Sequence, residues 1–229
     1  MFANYTELKD EVLAWLARAP TPGTRAFDRI PSLIYLAEAQ MSKDLRVRQT
    51  ERRATAILNE PFEFLPTDFR TLRVVNNYTK ADERVIECRS FDYKQLRREY
   101  GLKIGEPEAY ALVGNEIAFA PGPDPRLVLS EDPTQEEIDY AADHTGSFEL
   151  VYYGNVPNLT DEEPTNLILE AFPNIYLYAT LAQSAPFLMA DERLPIWTSA
   201  YTAAVATANE EHDRSVGSQA AMTNEMNIV

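Results

Sequence analysis

The chain has 229 residues, 45% of them hydrophobic, with 21 Lys and Arg against 36 Asp and Glu and a formal net charge of -15. That is enough apolar material for a core, and the length holds one domain or one domain with a large insertion. Two histidines and a single cysteine, Cys88, exclude a histidine-rich metal site and an intrachain disulfide, while the excess acid opposes tight binding of nucleic-acid phosphates.

No apolar run is long enough to cross a bilayer. The opening MFANYTELKDEV carries no signal-peptide pattern, and synthesis as a soluble protein in the cytoplasm is the expectation. Thr6 is placed to cap a first helix with Leu8, Val12, Trp15 and Leu16 on one face, ending before Pro20-Thr21-Pro22-Gly23. A second helix is predicted from about Phe27. Its inner face is Ile30, Leu33, Ile34, Ala37, Met41 and Leu45, with Pro31 tolerated in the first turn.

From about Arg52 the period becomes that of strands, at 54–58, 62–65, 72–75 and 85–88, each fenced by Asn, Asp, Pro or Gly. A short helix starting at Ser90 or Asp92 is stopped by Gly101. Gly114-Asn115 fits a two-residue turn between 110–113 and 116–119, and 148–153 alternates before helices resume.

Thr160 to Asn209 reads as a helical hairpin. Ile175, Tyr178, Ala179, Ala182, Ala185 and Met189 line its first helix; Leu194, Trp197, Tyr201, Val205 and Ala208 line the second. Pro173 suits a first turn and Asp191 a cap. With Leu177, Leu181 and Leu188 on its other side, the first helix is apolar nearly all round and needs cover from the rest of the chain or from a neighbouring copy. Trp15 and Trp197 are both expected to be largely buried. The predicted fold is α+β. Two N-terminal helices and the hairpin (1–51 and 156–214) form a four-helix bundle core, a small antiparallel β-sheet is inserted at 52–155, and an extended C-terminal tail of small polar residues occupies 215–229.

No glycine-rich phosphate loop, GxSxG elbow, HExxH or paired CxxC occurs. Asp161, Glu162 and Glu163 read either as a glycosidase-style acid and base or, with Thr160 and Glu163 as a capping box, as acids at a helix start. His144 and His212 read as surface residues. The acidic excursion 124–146, containing Thr134-Gln135-Glu136-Glu137, is a contact loop for another protein or a solvated loop. Arg46, Arg48, Arg52 and Arg53 stand where the second helix gives way to strand. They serve an interface between acidic copies, for which guanidinium forks are suited, or simply solvation.

In this order, IYLAEAQMSKDLRVR, LPTDFRTLRVV, ALVGNEIAFAPGPD and FELVYYGNVPNLTDEEPTNLILEAFPNIYLYATLAQSAPFL resemble head-to-tail adaptor (connector or head-completion) proteins of tailed bacteriophages. The most specific pieces are Leu65-Pro66-Thr67-Asp68-Phe69, Tyr152-Tyr153 through Pro164-Thr165-Asn166, and Tyr176-Leu177-Tyr178. The resemblance implies a structural virion protein at the neck, with no catalytic residues, metal or cofactor. Twelve copies would form a ring under the portal, docked by the C-terminal tail and followed by a downstream tail or nozzle protein. DNA would pass through the channel without specific binding. The tail anchors are then Met222, Asn224, Met226, Asn227, Ile228 and Val229, and the inter-subunit residues Arg46, Arg48, Arg52, Arg53, Leu177 and Leu181. Two other readings stay open: a different neck or tail-tube protein, and a cell-wall glycosidase using the 161–163 carboxylates.

Overall fold

The computed structural model describes residues 2–18, 22–58, 60–79, 84–127, 133–136, 138–139, 146–188 and 192–226. In chain order come α1 (Tyr5–Trp15), α2 (Ile30–Asp44), β1 (Glu51–Leu58), β2 (Phe62–Phe64), β3 (Phe69–Thr79), β4 (Arg84–Glu87) and β5 (Arg89–Ser90). Then follow α3 (Tyr93–Tyr100), β6 (Ala109–Val113), β7 (Glu116–Ala120), β8 (Gly146–Gly154), α4 (Leu167–Ala171), α5 (Pro173–Leu188) and α6 (Leu194–Met226). The chain divides into two compact units, Met1–Glu51 with Gly154–Val229, and Arg52–Tyr153.

In the helical unit α1 is capped by Asn4 instead of Thr6. The Asn4 side chain accepts from the Glu7 amide, and the Glu7 carboxylate accepts from the Ala3 amide. A short 3-10 turn at Phe27–Arg29 leads into α2, with Pro31 in its first turn, and all six residues of the predicted inner face are buried. Trp197 is buried as expected, at 5% exposure, but Trp15 is 44% exposed. Leu8, Val12 and Leu16 take the core side of α1, which leaves Trp15 at its edge, packed edge-on against Tyr178 and donating its indole N–H to Glu11 Oε1 at 2.9 Å. Met189 and Asp191 lie outside the described residues.

The four-helix bundle core is not what forms. Among the described residues there are six α-helices and eight strands, and the helical unit is arranged round α5, which packs against α2 and α6 and, less extensively, against α1 and α4. Ile175, Tyr176, Leu177, Ala179, Leu181 and Ala185 are all buried, and the two polar residues among them, Thr180 and Ser184, donate their hydroxyls back to the carbonyls of Tyr176 and Leu181. A bundle helix keeps one polar side in water, whereas a helix without such a side has to be surrounded. Here the chain itself supplies that cover.

The extended tail is also corrected, because α6 continues unbroken to Met226. Ala220, Ala221, Met222, Glu225 and Met226 are good helix formers, and the single Gly217 costs only about 1 kcal/mol. Asn227, Ile228 and Val229 lie outside the described residues.

The strand unit departs from the small antiparallel sheet predicted. It holds two four-stranded sheets, ordered β1-β8-β3-β4 and β2-β7-β6-β5, and β5 runs parallel to β6. The β6–β7 hairpin turns at Gly114-Asn115 as expected, with Gly114 at φ 62 and Val113 paired to Glu116. Asp92 caps α3 and Gly101 ends it at φ 60. Leu58, Val75, Phe148 and Leu150 of the first sheet meet Ile117 and Phe119 of the second, while Leu96 and Tyr100 of α3 pack with Ala109, Ala111 and Ala118 on the second sheet's other side. The unit is therefore three layers deep. Alternation locates the strands other than β5, where Ser90 also reads as a helix start, but the partner of a short strand such as β2 is set by contacts far along the chain.

Candidate functional site

The helical unit is tied together by an extended segment, 155–166, laid over α1, α2 and α5. The Tyr5 amide donates to the Pro164 carbonyl at 2.7 Å, the Val156 amide to Ser42 Oγ at 2.9 Å, and the Leu159 amide to Glu38 Oε1 at 2.8 Å. Tyr176 donates its hydroxyl to the same Glu38 oxygen at 3.3 Å and accepts from Asn166 Nδ2 at 2.6 Å. Asn166 also caps α4 by accepting from the amides of Ile168 and Leu169.

Glu38 is 1% exposed. Burial pushes its carboxyl up from an ordinary 4.5 to about 7, against the lowering effect of the Leu159 amide and the Tyr176 hydroxyl. Tyr176 is held above the usual phenol range, first by its own burial and then by the Glu38 charge. A carboxyl poised near neutrality is what an acid–base catalyst needs, but this one has no surface for a substrate to reach, so its chemistry is internal: it accepts hydrogen bonds and holds a proton. Sequence reasoning passed over Glu38 although the signal was there, since position 38 follows Ile34 by four residues on the inner face of α2.

The Asp161, Glu162 and Glu163 carboxylates are all exposed. Asp161 pairs with Lys9 at 3.0 Å, and the Glu163 amide donates to Thr160 Oγ1, closing a turn and not a helix start. The three acids stand open to water, without the enclosed cleft in which a glycosidase places its acid and base. His212 is not a surface residue. It is 8% exposed, with Nε2 at 3.8 Å from Glu51 Oε1. His144 lies outside the described residues, as does most of the acidic excursion. Among the described residues no cluster of His, Cys, Asp and Glu is arranged to hold a metal, and no helix is long and apolar enough to cross a membrane.

Of the arginines expected at an inter-subunit contact, Arg46 and Arg48 are exposed and belong to the helical unit. Arg52 pairs with Asp68 at 3.3 Å, and Arg53 pairs with Glu149. Glu149 is 7% exposed and accepts further from Asn76 Nδ2 and the Tyr78 hydroxyl, so Arg53 neutralises a carboxylate its own unit has buried. Leu177 and Leu181, assigned to the same contact, are 7% and 0% exposed inside the helical core. The backbone of the docking residues Met222, Asn224 and Met226 belongs to the last turns of α6.

The family model described as SU10 adaptor protein matches residues 3–223, nearly the whole chain. No curated protein matches it.

Proposed function

The chain belongs to the SU10 adaptor family of phage head-to-tail adaptors, and from that premise we propose that twelve copies form a ring under the portal, joined on the far side to a tail or nozzle protein. The genome leaves through the ring's channel. The family match over residues 3–223 carries this reading. The charge supports it, because at -15 per copy the ring repels phosphates and lets a duplex slide without sticking. Its role is structural, needing neither catalysis nor a cofactor.

The C-terminal end of α6 is the portal-docking element in this reading. A helix of 33 residues is about 50 Å long; among the side chains described, His212 is the last that is buried, and the helical backbone runs on for about four turns beyond it. A helical arm needs less ordering on binding than an extended tail and is suited to lie in a groove. Deletion of residues 217–229 tests this. The truncated chain is expected to keep its denaturation midpoint and lose attachment to DNA-filled heads; attachment equal to that of the full chain would place docking elsewhere.

Like charge on every copy also disfavours unaided assembly. The free chain is expected to sediment as a monomer at low salt and to form the ring only with the portal. A stable dodecamer at low salt without the portal would overturn that order of events.

A further inference from the structure

The outer side of α2 differs from the rest of this acidic chain. The helix has two acids that could face water, and neither lies free: Glu38 is buried, and Asp44 accepts from Gln40 and from the Tyr201 hydroxyl at the helix end. On its outer side α2 exposes Tyr35 and Leu36, at 57% and 49%, with Pro31, Ser32 and Ala39; the exposed Lys43 stands at one end, and at the other the exposed Arg29 of the preceding turn, next to Asp28. Arg29, Leu36 and Lys43 recur at seven-residue intervals and so share one stripe. It has an apolar centre with a positive charge at each end.

A second surface of the helical unit has the opposite character. Where the α4–α5 junction meets α6 there is a shallow groove of about 380 Å³, with Ala203, Ala204, Thr207 and Ala208 along α6 and Glu211 at its rim. Its small side chains let another helix approach closely and take large side chains between them. Glu210, beside Glu211, is paired with Arg214 at 2.8 Å, and the exposed Glu211 and Asp213 leave that end negative. Bulk and positive charge on α2 thus complement space and negative charge on α6.

We propose that the outer side of α2 in one copy docks in the α4–α6 groove of a second copy. This rests on the adaptor reading and supplies the contact by which its ring closes. The two surfaces share no residue, so each copy presents one to each neighbour, and such a head-to-tail contact closes into a ring when its rotation permits. Burial of Tyr35 and Leu36 drives it, and the exposed charges set its direction more than its strength. A contact of that kind is weak for one pair set against like-charged chains, in keeping with assembly on a template.

Cross-linking in assembled particles tests it. Leu36→Cys is combined in one chain with Ala203→Cys or with Thr207→Cys, one turn apart on α6, and DNA-filled heads carrying each variant are treated with a short bis-maleimide. Leu36, Ala203 and Thr207 are exposed, so folding is not at risk. Native Cys88 is 6% exposed with its thiol pushed up to about 12, and stays unreactive. The expected result is a ladder of dimers and higher multimers from at least one double variant and none from any single variant. Dimers from Leu36→Cys alone would mean a two-fold contact and overturn the proposal, as would cross-links made only to another virion protein. Heads that carry the chain but give no ladder would overturn it while leaving the adaptor reading intact. Absence of the wild-type chain from the heads would sink both.

Discussion

Trp197→Ala is expected to lower the stability of the helical unit by about 3–5 kcal/mol, the range for deleting a large aromatic side chain from a packed core. Trp197 opens the second helix of the hairpin at 5% exposure, in the same core as Tyr201, Val205 and the inner face of α2. Trp15→Ala is the control, because Trp15 is 44% exposed and touches the core only at its margin. Denaturant unfolding of both variants gives the comparison. Equal losses, or a wild-type midpoint for Trp197→Ala, would mean that the packing of α6 on α5 is wrongly assigned.

The second large effect is on pH dependence. The Glu38 carboxyl titrates at about 7 in the folded chain against an ordinary 4.5. A raised carboxylate value means that the folded state prefers the protonated form. The contribution is therefore complete below about 4.5, declines as pH rises, and is gone above about 7. At about 1.4 kcal/mol per pH unit the whole swing is about 3 kcal/mol. Glu38→Gln keeps an oxygen for the Leu159 amide and cannot ionise. Unfolding measured from pH 5 to pH 8 should show wild type losing stability relative to Glu38→Gln, mostly before pH 7. A difference between the two that stays constant across this range would show that Glu38 is not a buried acid in solution.

Of the candidate site, some was open to sequence reasoning and some was not. Arg52 and Arg53 could be seen as a basic cluster, but that Arg53 is committed to Glu149 follows only when β8 is laid beside β1. Leu177 and Leu181 looked available to a neighbour because an all-apolar helix says that it needs cover without saying whose. The groove on α6 left no trace in the pattern, since Ala203 and Thr207 are small residues without a marked period. Its meaning depends on Ala171 and the α4–α5 junction lying opposite.

What the sequence determined by itself was local. The inner face of α2, the stop at Gly101, the Gly114-Asn115 turn and the all-round apolar character of α5 each follow from periodicity or from the conformations a residue permits, and these depend on near neighbours. Tertiary structure alone decided which strands pair, that the strand unit has two sheets, that α5 stands at the centre of its helices, and that Glu38 is sealed under the 155–166 segment. It also decided that Trp15 stays at the margin while Trp197 goes inside. The physical reason is common to all of these: burial is a property of the neighbourhood that distant segments build, and the same apolar side chain or carboxyl is compatible with several neighbourhoods until they pack.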